Sequence, residues 1–168
     1  MKKITLFFTL VLTTLNFAFG QNTVNKKVYD ETANAKIQIS DAVTKAKKDN
    51  KHVLLQIGGN WCPWCILFND LVTTDPEISS YLNTNYEVVH VNYSKNNKNE
   101  AVLAELKHPE RFGFPVFVIL DENGNLIHTQ NSSYLESKET KGHDPKVVLD
   151  FLKGWSPEAL NPATYNKK

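Results

Sequence analysis

The stretch Gly58-Gly59-Asn60-Trp61-Cys62-Pro63-Trp64-Cys65 (GGNWCPWC) holds both cysteines of the 168-residue chain. Two thiols two residues apart, with Pro63 and Trp64 between them and Trp61 in front, can be a staple, a metal site or a redox pair. A bridge of that spacing closes a very short loop and removes little entropy from the unfolded chain, so it is a poor staple. Zinc needs about four ligands. There is no third cysteine, and His52, His90, His108, His128 and His143 are scattered without ligand spacing. Covalent haem needs a histidine directly after the second cysteine, where this chain has Ile66. A redox dithiol remains, requiring neither metal nor bound cofactor.

The flanks place that dithiol. Residues 52–57 (HVLLQI) form a short apolar run ended by Gly58-Gly59, the pattern of a buried strand. Beyond the motif, Ile66, Leu67, Leu71 and Val72 recur at helical spacing. The motif therefore lies where a strand ends and a helix begins. Helix N-termini carry unpaired N–H groups and partial positive charge, which stabilise a thiolate, the reactive form of cysteine. Cys62, at the helix start, is the expected nucleophile, and Cys65, one turn in, the buried resolving thiol. Pro63 suits the first turn, where its missing N–H has no helical partner. Trp61 and Trp64 surround the sulfurs with apolar surface on which an unfolded substrate can lie.

Further out, Ile39, Ala42, Val43 and Ala46 follow helical spacing, with lysines crowding the end and Asp49-Asn50 stopping the run. Asp75-Pro76-Glu77 reads as a helix start. Residues 86–93 (YEVVHVNY) read as a second strand, 101–107 as a helix and 115–120 (PVFVIL) as a third strand. The turn at 121–125 leads into 126–130 (LIHTQ) as a hairpin. Residues 131–143 read as a polar loop, and Asp144-Pro145 starts a last helix carrying Val147, Val148, Phe151 and Leu152. Phe112, Phe114, Phe117 and Phe151 are expected in the core or a groove, and Trp155 is expected to pack the last helix down. Strands joined by helices imply parallel pairing, with the hairpin adding an antiparallel edge.

Composition sets bounds. The chain is 41% hydrophobic and 22% charged with a formal charge of +1, ordinary for one globular domain and no mark of a nucleic-acid or membrane-surface binder. Residues 1–20 follow the layout of a signal peptide: Met1-Lys2-Lys3, an apolar stretch at 4–15, then Ala18 and Gly20 before the expected cleavage. The apolar stretch is too short to span a bilayer comfortably. Its removal takes Lys2 and Lys3 and no acid, leaving a formal charge of −1. The expected organisation is a signal peptide at 1–20, a loose N-terminal arm at 21–34 and one domain with a C-terminal tail at 35–168. The mature chain is expected to be periplasmic or secreted, where disulfides persist.

Trp61-Cys62-Pro63-Trp64-Cys65 after a strand, with Gly113-Phe114-Pro115 before a later one, resembles the thioredoxin family. More closely, the chain is similar to secreted bacterial thioredoxin-like proteins of the type found as the C-terminal domain of transmembrane disulfide reductases, over residues 37–155. The resemblance implies an α/β thioredoxin-like fold, a central mixed β-sheet flanked by helices. It also implies a cis Pro115 packed against the dithiol, with Trp61, Pro63, Trp64, Phe114 and Pro115 as the substrate-binding surface. Three positions depart from the family pattern. Gln56 stands where relatives carry a buried acid, and Asn69 where related reductase domains carry a carboxylate. Asp70, one step on, is turned roughly 100° away on the helix and reads as a helix-surface acid. Phe114 is bulkier than the usual residue before the proline.

The expected function is therefore extracytoplasmic thiol–disulfide exchange. Cys62 attacks a substrate disulfide and Cys65 resolves the mixed disulfide. Pro63 and Trp64 bring no cation between the cysteines, Trp64 opposes ionisation by desolvation, and the short interval to Pro115 leaves little room for a large helical insertion. These favour a reductase or isomerase, although Pro63 raises the potential in some relatives. Protein disulfides or dithiols are the expected substrates of a monomer served by a membrane redox partner, with no nucleic acid. A disulfide-donating oxidase and a non-catalytic peptide-binding module are the alternatives. A glutaredoxin is disfavoured by the helix before the first strand.

Overall fold

Asn34 opens the first helix by accepting hydrogen bonds from the N–H groups of Lys36 and Ile37 at 3.0 and 3.3 Å, as a good N-cap does. Helix α1 (Ala35–Asp49) ends at Asn50, which takes the left-handed conformation (φ 53°). Lys47 and Lys48 face the negative end of its dipole. This is a computed structural model, and it describes residues 27–165. The expected signal peptide and its cleavage point lie outside the described residues, as do residues 21–26 of the arm.

Strand β1 (His52–Gly58) is buried at all seven positions, and β3 (Val116–Leu120) at all five. Both lie inside the sheet, whose order is β2-β1-β3-β4, with β2 (Tyr86–Asn92) and β4 (Leu126–Asn131) at the edges. β1 pairs in parallel with β2, from His52 opposite Tyr86 to Gly58 opposite Asn92. It pairs antiparallel with β3, Ile57 facing Val116, and β3 pairs antiparallel with β4.

Parallel pairing across every helical connection does not hold. Between β1 and β2 the chain crosses over through α2 (Pro63–Thr74) and α3 (Pro76–Asn85), two helices long enough to return it to the starting end. Between β2 and β3 it has only the six-residue α4 (Glu100–Glu105) and a 3₁₀ turn at Pro109–Phe112. A helix of that length rises about 9 Å, against about 23 Å for a seven-residue strand. The chain stays at one end of the sheet and β3 runs back. The result is the mixed sheet flanked by helices expected from the resemblance. It also brings the exits of β1 and β2 and the entry of β3 to one end.

Each face of the sheet has its own core. Val53, Leu55 and Ile57 of β1 and Val116, Val118 and Leu120 of β3 meet small Ala35, Ala42 and Ala46 of α1 and Val102 and Leu103 of α4. On the other face Leu54, Phe117 and Ile119 meet Phe68 and Val72 of α2, Ile78 and Leu82 of α3, and Val148 and Leu152 of α5 (Pro145–Gly154). Asp75 and Asp144 cap α3 and α5, with prolines in the first turns. Trp155 stacks on His128 of β4 at 4.0 Å between centroids, and its carbonyl is held by His52 at 2.7 Å, so the last long helix is pinned as expected. Two short helices, α6 (Pro157–Leu160) and α7 (Pro162–Tyr165), occupy the expected tail. Phe112 is corrected to the surface, where Arg111 covers its ring at 4.2 Å.

The stretch 131–143 is more than a polar loop. Ser132–Leu135 forms a 3₁₀ turn, and Ser132, Leu135 and His143 are buried. Leu135 enters the second core, and its carbonyl accepts the Asp144 N–H at 2.9 Å. That anchor draws both ends of the stretch onto the domain.

Candidate active site at the end of the first strand

Gly58 ends β1 without a side chain because there is no room for one. A Cβ there would collide with Cys65 Sγ and lie 3.0 Å from the Tyr29 hydroxyl. At Gly59 it would collide with the Trp61 ring and lie 2.8 Å from the Tyr93 carbonyl. The chain then turns into α2 through Cys62, which has the extended backbone of an N-cap (φ −96°, ψ 104°), with Pro63 in the first turn.

Cys62 and Cys65 are bonded as a disulfide with Cα atoms 5.3 Å apart. Cys62 Sγ accepts the Cys65 N–H at 3.2 Å, a donor of the first helical turn shared with the Cys62 carbonyl at 3.1 Å. The same donor would stabilise a Cys62 thiolate after reduction. Cys62 is 3% exposed and Cys65 0%. The slightly more exposed cysteine is the one at the helix start.

Aromatic side chains flank the sulfurs on two sides. Trp61, 55% exposed, donates its indole N–H to the Tyr93 carbonyl at 2.6 Å. Its ring meets Phe114 edge-on at 5.5 Å, and Phe114 lies tilted on Tyr93 at 4.7 Å. Phe114-Pro115 is a cis peptide bond, as the resemblance implies, and Pro115 immediately precedes the Val116–Ile57 pair of the sheet. On the other side Trp64 meets His143 edge-on at 5.6 Å, and His143 meets Phe68 at 5.1 Å. Trp64 and Phe114 thus pack against the cluster of Tyr29, Cys62 and Cys65, Trp61 packs against Phe114, and Pro63 and Pro115 adjoin them in the chain.

Gln56 is buried beside Cys65. Its amide donates to the Cys65 carbonyl at 2.9 Å and to the Tyr29 hydroxyl at 2.7 Å. Asn69 is buried along α2, and Asp70, on the next position, is half-buried. Neither Gln56 nor Asn69 can titrate.

Sequence reasoning missed three residues. Tyr29, assigned to a loose arm, is 3% exposed and clusters with Cys62 and Cys65. Asn60 holds it there. The Asn60 side-chain oxygen accepts the N–H groups of Val28 and Tyr29 at 2.9 and 3.0 Å, and its amide donates to the Tyr29 carbonyl at 2.9 Å. Burial pushes the Tyr29 phenol well above the usual tyrosine range. His143 is the third. Burial pulls it down to about 4, and neither ring nitrogen has a hydrogen-bond partner among the described residues. Burial also lowers His90, whose ring lies 5.5 Å from that of Tyr29. The clue to Tyr29 was an aromatic residue directly after Val28 in a largely polar arm.

A family model described as thioredoxin-like matches residues 33–122. That span includes the dithiol, Gln56, Asn60 and Pro115, but neither Tyr29 nor His143. The chain is 28% identical over 97 residues to the disulfide bond reductase DsbH of Chlamydia pneumoniae, covering 52% of this chain and 57% of that protein. It is 32% identical over 75 residues to the thiol:disulfide interchange protein DsbD of Haemophilus ducreyi, covering 45% of this chain and 13% of that one. The matched length is thus little more than half of one relative and a small part of the other. A solved structure of a disulphide isomerase from Xylella fastidiosa is similar with a TM-score of 0.67 at 22% identity, covering 76% of this chain and 95% of that one. That likeness establishes the fold.

Proposed function

The chain belongs to the thioredoxin-like family, and on that premise we propose that it is an extracytoplasmic thiol–disulfide oxidoreductase of reductase or isomerase type. The observation that carries this reading is the Cys62–Cys65 disulfide at the start of α2, its outer sulfur already accepting a helix N–H.

In the reduced chain the Cys62 thiolate attacks one sulfur of a substrate disulfide. The substrate S–S bond breaks, a Cys62–substrate disulfide forms, and one substrate thiolate leaves. The Cys65 thiolate then attacks Cys62 Sγ, closes the Cys62–Cys65 bond and releases the second substrate thiolate. Two electrons pass to the substrate, and the two protons of the dithiol end on its thiols. A donor dithiol reverses these steps to reload the pair. The resemblance of residues 37–155 to the C-terminal domain of transmembrane disulfide reductases supports a membrane protein as that donor, and the signal-peptide pattern of residues 1–20 supports the compartment. Trp61, Trp64, Phe114 and Pro115 form the surface against which an extended, partly apolar substrate chain lies while Cys62 reacts. Pro63 supports a second reading, a disulfide donor, in which the bonded pair is the working form.

Insulin reduction driven by dithiothreitol tests the proposal. The wild type should accelerate insulin precipitation and Cys62→Ser should fall to the uncatalysed rate. Equal rates for the two would leave a peptide-binding module without turnover.

A further inference from the structure

We propose that the Tyr29 hydroxyl, held by Gln56, is the hydrogen-bond donor to the Cys65 sulfur whenever that sulfur carries negative charge. The inference rests on the oxidoreductase reading and deepens it, because Cys65 becomes a thiolate in each half of the exchange.

Cys65 is fully buried, and a thiolate without a donor is strongly disfavoured in such a place. Gln56 is the nearest polar candidate, but its amide already donates to the Cys65 carbonyl and to the Tyr29 hydroxyl. Both of its donors are thereby used. The phenol oxygen that accepts from Gln56 keeps its own O–H to give. Gly58 shows where it can go. A Cβ placed there would collide with Cys65 Sγ and lie 3.0 Å from the Tyr29 oxygen, so hydroxyl and sulfur border the same side-chain-free space, and Tyr29 clusters with both cysteines. Asn60 fixes the backbone of Tyr29 through both its N–H and its carbonyl, which keeps the ring in place.

Tyr29 acts as a donor and not as a base. Burial holds its phenol above the usual range, so it stays protonated across the neutral range. When a donor thiolate attacks Cys62 Sγ, the Cys62–Cys65 bond breaks and its electron pair goes to Cys65. The Tyr29 O–H points at that charge and retains its proton, so one thiolate enters and one is formed. Other titratable side chains in this neighbourhood are His90 of β2, behind the Tyr29 ring, and His143, behind Trp64. Burial keeps both neutral near pH 7. Tyr29 lies outside the span matched by the family model, so the donor is supplied by the arm of this chain.

The test isolates Cys65 in the full chain with Cys62→Ala and titrates its thiolate by ultraviolet absorbance, with and without Tyr29→Phe. Loss of the hydroxyl should raise the Cys65 pKa by about one unit, a tenfold loss of thiolate at a given pH below it. An unchanged pKa overturns the proposal, including the case in which Tyr29→Phe lowers only the melting temperature. Should that variant fail to fold, the reduced wild type labelled with ¹³C at the tyrosine ring decides. The Tyr29 resonance should move with the Cys65 titration, and a flat resonance overturns the proposal. Neither readout needs turnover. Coupling without insulin reduction would support the contact and count against the oxidoreductase reading, whereas insulin reduction without coupling would overturn only the role of Tyr29.

Discussion

Gly58 is a position where one hydrogen atom decides whether the site can assemble. Cys65 Sγ and the Tyr29 hydroxyl both crowd the place a Cβ would take, and they arrive from a helix and from the arm. Its backbone is ordinary, so the demand is for space rather than for a left-handed conformation. Gly58→Ala should overpack this junction by about 1–3 kcal/mol, lowering the thermal midpoint by roughly 2–12 °C for a chain of this size. Gly154→Ala is the control, since a methyl there meets nothing within 4 Å; its midpoint should hold or rise slightly. Equal midpoints for the two variants would mean that the crowding at Gly58 carries no energy. The placement of Cys62, Pro63 and Cys65 at a helix start was legible because it follows from neighbours one turn away. That of Gly58 was legible only as a strand end, because the atoms that exclude a side chain come from positions 65 and 29.

At the scale of elements, the starts of α3 and α5 were legible because Asp75-Pro76 and Asp144-Pro145 act on their own next turn. The arm and the 131–143 stretch were not, because their anchors are distant in sequence. Asn60 binds residues about thirty positions earlier, and His143 is held by the rings of Trp64 and Phe68. His143 gives that stretch a pH signature. Its folded-state value of about 4 lies below the ordinary 6.5, so the unfolded chain takes up the proton first as pH falls. Its contribution is fully present above pH 6.5 and is lost as pH falls from 6.5 toward 4. His90, also lowered by burial, acts with the same sign. The urea midpoint of the wild type should therefore drop across that window, and His143→Phe should flatten the drop. The same slope in both proteins would remove His143 from this account.

Over the whole molecule, the short β2–β3 connection turns β3 back and places three strand ends, the dithiol and Pro115 together. The sequence order of helices and strands gave the fold class but not this reversal, which depends on how far a six-residue helix can travel. The interval from Cys62 to Pro115 is filled by α2, α3, β2, α4 and a 3₁₀ turn, without an inserted helical subdomain. Pro63 and Trp64 bring no positive charge between the sulfurs, so the helix start is left to lower the Cys62 pKa by a moderate amount. The account therefore places the Cys62–Cys65 couple between about −180 and −270 mV, the interval from disulfide isomerase to thioredoxin. Equilibration of the full chain with glutathione buffers, read by mass after alkylation, measures it directly. A value inside that interval is the predicted result, and a value near −120 mV, where the strong oxidants lie, would contradict the account and make the protein a disulfide donor.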